Sequence, residues 1–202
     1  MTSIQSLTID VADPAAAKSF YAAFCPDTPL QFRSAQAPTT GFRGFTLSLT
    51  VSQPADVKAL VGAALDAGAT ALKPVAKSLW GYGGVVRAPD GTIWKVATSA
   101  KKDKGPATRQ IDQIVLLLGA EDVAASKRFY TDRGLSVAKS FGKYVEFALP
   151  SSPVKLGLYG RRALAKDAGV APDGSGSHRL AIGGDAGSFT DPDGFEWEAV
   201  TG

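Results

Sequence analysis

Two rhythms of apolar positions run along this chain, one of period two and one of helical period, and each half of the sequence carries both. Residues 4–11 are rich in β-branched and aliphatic side chains and predict a strand. Asp13-Pro14 then offers a helix cap with proline at the first helical position, so residues 15–24 predict a short amphipathic helix. Residues 111–118, the cap candidate Asp122 and a helix through Ala124, Lys127, Phe129 and Tyr130 repeat the arrangement in the second half. Lys18-Ser19-Phe20-Tyr21 and Lys127-Arg128-Phe129-Tyr130 are copies of one piece, and aromatics at such helix positions anchor helix to sheet.

The remaining pattern is uneven. In the first half a short strand is expected at 30–33, a fuller one at 44–53, and a helix opened by Gln53-Pro54-Ala55-Asp56 with Leu60, Val61, Ala64 and Leu65 on one face and Gly68 as its stop. Strands at 71–79, 82–87 and 92–98 complete that half, and the polar residues 99–109 form a linker. In the second half three strands are expected at 135–140, 143–149 and 154–159. The stretch 161–176 reads as a lid or loop over a cavity. After a strand at 177–182, Gly183-Gly184-Asp185-Ala186-Gly187 leaves no room for a second helix. Along 113–118, Gln113, Val115 and Leu117 share one face and Ile114, Leu116 and Leu118 the other, as for a strand buried on both sides.

The sharpest repeat is Asp191-Pro192-Asp193-Gly194-Phe195-Glu196-Trp197-Glu198, which nearly copies Ala88-Pro89-Asp90-Gly91-Thr92-Ile93-Trp94-Lys95. Pro-Asp-Gly predicts a tight turn entering a strand. The residue after the tryptophan differs in kind: Glu198 is able to ligate a cation and Lys95 is not. A repeat of this length divides the 202 residues into a first lobe, 1–98, the linker 99–109 and a second lobe, 110–202, whose last unit is shortened.

Composition narrows the function classes. With 45 % hydrophobic and 20 % charged residues the chain is expected to fold throughout. The formal charge is only +3, and its densest basic run, Lys101-Lys102-Asp103-Lys104, lies in the linker without aromatics, so no nucleic-acid partner is expected. Cys25 is the single cysteine, which excludes an internal disulfide and a cysteine-rich zinc site. No charged and apolar leader or long apolar run is apparent, so the expectation is a cytoplasmic protein with no membrane partner.

Four strand-helix-strands units, Phe-Tyr closing the first helix of each half, and a terminal Pro-Asp-Gly-x-x-Trp strand resemble the vicinal oxygen chelate superfamily, which includes glyoxalase I, extradiol dioxygenases and bleomycin-resistance proteins. The resemblance implies an α+β fold of two tandem lobes built from paired βαβββ units, curled mixed sheets with helices on the convex face, and a cup that holds the ligand. In catalytic members of the family, His, Gln or Glu side chains hold a divalent metal in that cup. Carried over position by position, the terminal glutamate falls on Glu198 and the first-strand ligand on Gln113. The third position falls on Arg179 with His178 one residue off, and a fourth on the strand holding Lys155, Gly157 and Tyr159. Ser6 and Lys95 occupy the equivalent places in the first half.

Such a ligand set is poor for a divalent cation, so no metal cofactor is expected. The function implied is binding of a small organic molecule in a cup lined by Gln113, Tyr144, Glu146, Tyr159, Arg179 and Glu198. One alternative is a glyoxalase, lyase or dioxygenase type of enzyme that uses a divalent metal on Gln113, His178 and Glu198, with Glu198 as the catalytic carboxylate. Another is a scaffold that keeps the fold without a ligand. The chain is expected as monomer or homodimer.

Overall fold

The computed structural model describes residues 2–35, 37–79 and 81–200. Met1 and residues 201–202, the outer ends of the two expected lobes, lie outside that set. The first unit is β1 (Ile4–Val11), α1 (Pro14–Phe24), β2 (Leu30–Ser34) and a short β3 (Thr39–Gly41). The second is β4 (Phe45–Thr50), α2 (Pro54–Asp66), β5 (Thr70–Ser78), β6 (Gly81–Arg87) and β7 (Ile93–Thr98). The third is β8 (Gln113–Ala120), α3 (Val123–Asp132), β9 (Val137–Phe141), β10 (Tyr144–Phe147) and β11 (Val154–Gly160). Then come α4 (Arg161–Ala168), β12 (Gly174–Gly176) and a last unit of β13 (Leu180–Gly184), β14 (Phe189–Thr190) and β15 (Glu196–Ala199). No helix joins β13 to β14 among the described residues, so the last unit is short, as its glycine run requires.

The helix starts follow the local chemistry. Asp13 accepts from the Ala15 and Ala16 amides and Asp122 from those of Ala124 and Ala125, which satisfies backbone donors that a first helical turn leaves open. Gln53 precedes α2 but makes no side-chain cap, because its amide is spent on the linker. Its oxygen accepts from Lys104 and Gly105 and its nitrogen donates to Pro106. Asp56, fully buried, accepts from the Thr108 and Arg109 amides, so one side chain just before α2 and one in its first turn hold the connector.

The sheets are assembled across the halves. The first and last units form a five-stranded sheet in the order β14-β15-β13-β1-β2, and the second and third form an eight-stranded sheet in the order β5-β6-β7-β4-β8-β11-β10-β9. β1 runs antiparallel to β13, with Leu7 opposite Ile182, and β4 runs antiparallel to β8, with Leu47 opposite Leu116. A unit that lacks strands or a helix cannot cover its own core, so the two abbreviated units share one sheet and the two complete units the other. Leu7 and Ile9 from the small sheet, Leu47, Trp94 and Leu156 from the large one, and Phe20, Leu60 and Tyr130 from the first three helices belong to one continuous core.

The two motif copies meet there as a pair of staples. Trp94 Nε1 donates to Tyr21 Oη at 3.1 Å, and Tyr21 donates to Asp90 Oδ2 at 2.9 Å. In the other copy Trp197 Nε1 donates to Tyr130 Oη at 3.2 Å, and Tyr130 donates to Asp191 Oδ2 at 2.7 Å. Burial, reinforced by the neighbouring carboxylates, pushes both phenol groups well above their usual range. The acids are not equivalent by alignment, since Asp191 stands where the first copy has Ala88. Asp193, the counterpart of Asp90, instead accepts from Ser126 Oγ and the Glu121 amide.

Candidate functional site

Alternation along the large sheet places Leu47, Trp94, Leu116 and Leu156 in the core and turns the intervening residues to the other, concave face. Strand registry then sets rows across that face. One row runs Ala76, Gly83, Ala97, Thr50 and Gln113. The next runs Lys73, Val85, Lys95, Ser48, Val115 and Lys155, with an ammonium group near each end and in the middle.

The helix α4 lies over part of this face. It begins at the end of β11, and its buried Leu164, Ala165 and Ala168 pack in a second apolar cluster with Phe42, Val85, Ile93, Leu117 and Tyr159. Close approach is permitted by Gly119, where a Cβ would stand 2.7 Å from the Gly44 carbonyl oxygen and 3.2 Å from Arg161 Cα. Arg161 fixes the helix start by donating to Phe42 and Pro172 carbonyls. Two concave-face lysines hold the other end: Lys73 Nζ donates to the Lys166 carbonyl at 2.9 Å and Lys95 Nζ to Asp167 Oδ2 at 2.8 Å. Both suit a helix C-terminus, whose unpaired carbonyls carry partial negative charge. Residues 161–176, expected as a lid or loop over a cavity, thus hold a short helix seated on the sheet.

Beyond α4 the concave face stays open. A cleft of about 440 Å³ is floored by Thr50, Gly83 and Ala97 and bordered by Lys73, Lys95 and Asp167. Lys77 and Pro74 complete the β5 wall. The lining is more apolar than polar, with three lysines set against one carboxylate, an arrangement able to hold an apolar body and an acidic group.

The residues expected to line one site are not brought together. Tyr144, Glu146 and Tyr159 do share the concave face, where Tyr144 and Tyr159 pack edge to face and Tyr144 donates to Glu146 at 3.4 Å. Burial, with Glu146 adding to it, pushes the Tyr144 hydroxyl up. Gln113 lies on the same face at an exposed strand start. Arg179 and Glu198, however, belong with the five-stranded sheet, because the units pair across the halves.

Arg179 precedes β13 with φ of 53°, so strand alternation does not govern it, and its guanidinium donates to the Ala37 carbonyl. Glu198 pairs not with Arg179 but with Arg33, at 2.9 Å, and the same guanidinium meets Asp10 at 2.7 Å. Those hydrogen bonds, to Asp10 first and Glu198 second, hold the Arg33 pKa above its usual range. Ser6, Gly183 and Glu198 are cross-strand neighbours on this polar face.

The side chains at the places the family resemblance marks are poor partners for a divalent metal. On the small sheet it would have to displace Arg33 from Asp10 and Glu198, and on the large one Lys95 repels it. His178 faces the Arg43 carbonyl through Nδ1 at 2.5 Å and the Asp193 carbonyl through Nε2 at 3.0 Å, and its ring stacks on Phe195, so both nitrogens are engaged. The set Gln113, His178 and Glu198 is therefore spread over two sheets and a turn, and no group of three His, Cys, Asp or Glu able to hold a metal occurs among the described residues. Sequence reasoning did not single out Lys73, Thr50, Asp167, Arg33 or Asp10. The available signal was Lys95, which alternation puts on one face with Ile93 and Ala97.

No protein-family model matches the sequence, and no curated protein matches it. Among solved structures the chain is similar to glyoxalase I from Zea mays, at 15 % identity and a TM-score of 0.65, covering 99 % of this chain and 92 % of that one. It is also similar to a protein of Bacillus subtilis subsp. subtilis str. 168 provisionally described as a dioxygenase, at 10 % identity and a TM-score of 0.59, covering 98 % and 84 %. A glyoxalase/bleomycin resistance protein/dioxygenase family enzyme from Burkholderia phytofirmans PsJN matches 48 % of this chain over 99 % of its own, at 18 % identity and a TM-score of 0.43. No helix among the described residues is long and apolar enough to cross a membrane. Paired strand-helix-strands units, curled mixed sheets and full-length likeness to glyoxalase I together give this chain the fold of the vicinal oxygen chelate superfamily.

Proposed function

We propose that the protein binds a small organic molecule in the cleft of the large sheet and does so without a metal. The observation that carries this reading is the cleft: about 440 Å³, more apolar than polar, with Thr50, Lys73, Lys77, Lys95 and Asp167 among its polar groups. Ligand pockets are commonly of this size, roughly 300–1,000 Å³, and of this makeup. The reading moves the site away from the set Gln113, Tyr144, Glu146, Tyr159, Arg179 and Glu198, of which the first four share the large sheet's concave face, to the β5-β6-β7 end of that face. The lysine at position 95 and the Arg33 pair on Glu198 support independence from a metal. The test is a thermal-shift screen of 2-oxoaldehyde-thiol adducts, catechols, aromatic acids and glycopeptide antibiotics, with and without chelator. A ligand at about 100 times its Kd adds roughly 2.7 kcal/mol of stability. A shift that survives chelator supports the reading, and one that requires added metal refutes it. A second reading, a fold kept without a ligand, is favoured by the packing of α4 over part of the cup, and it predicts no shift with any compound.

A further inference from the structure

Resting on that reading, we infer that the occupant of the cleft is an organic monoanion of the carboxylate or sulfonate class, whose acidic group pairs with Lys95 in place of Asp167. The two copies of the Pro-Asp-Gly repeat differ at the residue after the tryptophan, and only the copy facing the cleft carries an ammonium group. Lys95 leaves the sheet from the floor of the cleft, between Val85 and Ser48 in its row. It already holds an oxyanion: Asp167 Oδ2 sits 2.8 Å from Nζ and shows where a ligand's carboxylate would lie.

That internal anion is exchangeable. Lys95 and Asp167 are 37 % and 41 % exposed, and pairs as open as this contribute little to stability. Asp167 stands one residue before the end of α4 and two before the left-handed Gly169 cap, so it can turn outward while the buried Leu164 and Ala165 keep the helix seated. The remaining charge favours an anion even when Asp167 is in place. Lys73 donates to the Lys166 backbone carbonyl and has no ion-pair partner among the described residues, and Lys77 adds another ammonium group on the same wall. Low-dielectric walls concentrate such a potential. Ala76, Ala97, Val85 and Pro74 supply the apolar surface for the rest of the molecule.

Two dyes of nearly the same shape test this. 1-Anilinonaphthalene-8-sulfonate carries one negative charge and N-phenyl-1-naphthylamine carries none. Each is titrated by fluorescence against the wild type, Lys95→Met and Asp167→Asn, with circular dichroism confirming that the variants fold. The sulfonate is expected to bind roughly 10-fold or more weakly to Lys95→Met, the loss of a charge-assisted contact. Asp167→Asn should tighten it by about 2–5-fold, the worth of an exposed ion pair. The neutral dye should change by less than about 2-fold in either variant, a shift too small to reflect an ion pair. Sulfonate binding that ignores both substitutions, or a neutral dye that binds as tightly, overturns the anion assignment and leaves the cleft reading intact. Binding of neither dye overturns both.

Discussion

Replacing Tyr130 by phenylalanine removes one oxygen atom and breaks both bonds of the second staple. Tyr130 is fully buried, donates to Asp191 at 2.7 Å and accepts the Trp197 indole at 3.2 Å. Without the hydroxyl the Trp197 N–H has no acceptor and Asp191 Oδ2 loses its donor, while Oδ1 keeps the Asp193 and Phe195 amides. Each of the two orphaned buried groups costs about 1–3 kcal/mol, so the variant should lose roughly 2–6 kcal/mol. For a chain of this length that is a fall in Tm of about 5–15 °C, measurable by calorimetry. The loss should also depend on pH. Burial raises the Asp191 carboxyl above its usual value and the Tyr130 hydrogen bond pulls it back. A raised folded pKa contributes stability below the unfolded value, about 3.9, and that contribution is lost as pH rises through the folded value. Removing the phenol raises the folded pKa further, so the variant should be hurt more at pH 7 than near pH 4. A loss below about 0.5 kcal/mol, within the range of an ordinary surface substitution, would refute the staple argument. So would a loss equal at both pH values.

Four further outcomes are expected. Asp56→Ala should release the linker and cost about 1–3 kcal/mol by urea titration. Burial works against the Asp56 carboxylate, but donors from Thr108, Arg109 and Gln53 hold its pKa below the usual range, so its contribution should be present above about pH 4 and fade as pH falls through the lower folded value. Leu164→Ala should cost roughly 2–5 kcal/mol, since the fully buried side chain seats α4 on the concave face. Protein purified without chelator should carry well under one equivalent of zinc, nickel, iron or manganese by elemental analysis, and Glu198→Ala should leave that figure unchanged. Cys25, buried with its thiol pushed up to about 12, should resist a maleimide in native buffer and react on unfolding.

Much of the local structure was legible because it is decided by neighbours in the chain. Asp13-Pro14 and Asp122 set helix starts through bonds reaching two or three residues, and Pro-Asp-Gly sets its turn in the same way. The two copies of that turn revealed the repeat, and the glycine run after β13 revealed the missing helix. Lys95 opposite Glu198 showed that the halves had diverged before any geometry was known.

Which unit pairs with which was a different matter. A strand's alternation states which residues share a face but not which strand lies beside it, and the choice here depended on how two incomplete units cover each other's core. That choice separated Gln113 from Glu198, joined Glu198 to Arg33 across 165 residues, and put Lys73, Lys95 and Asp167 around one cleft. It also explains why His178 and Arg179 could not be ranked from the sequence. Both precede the strand, where a left-handed residue and two backbone carbonyls, rather than alternation, direct the side chains. The sequence by itself determined the elements and the chemical divergence of the copies, because those are local. The position of the cleft was decided only by tertiary structure, because it depends on burying apolar surface between segments distant in the chain.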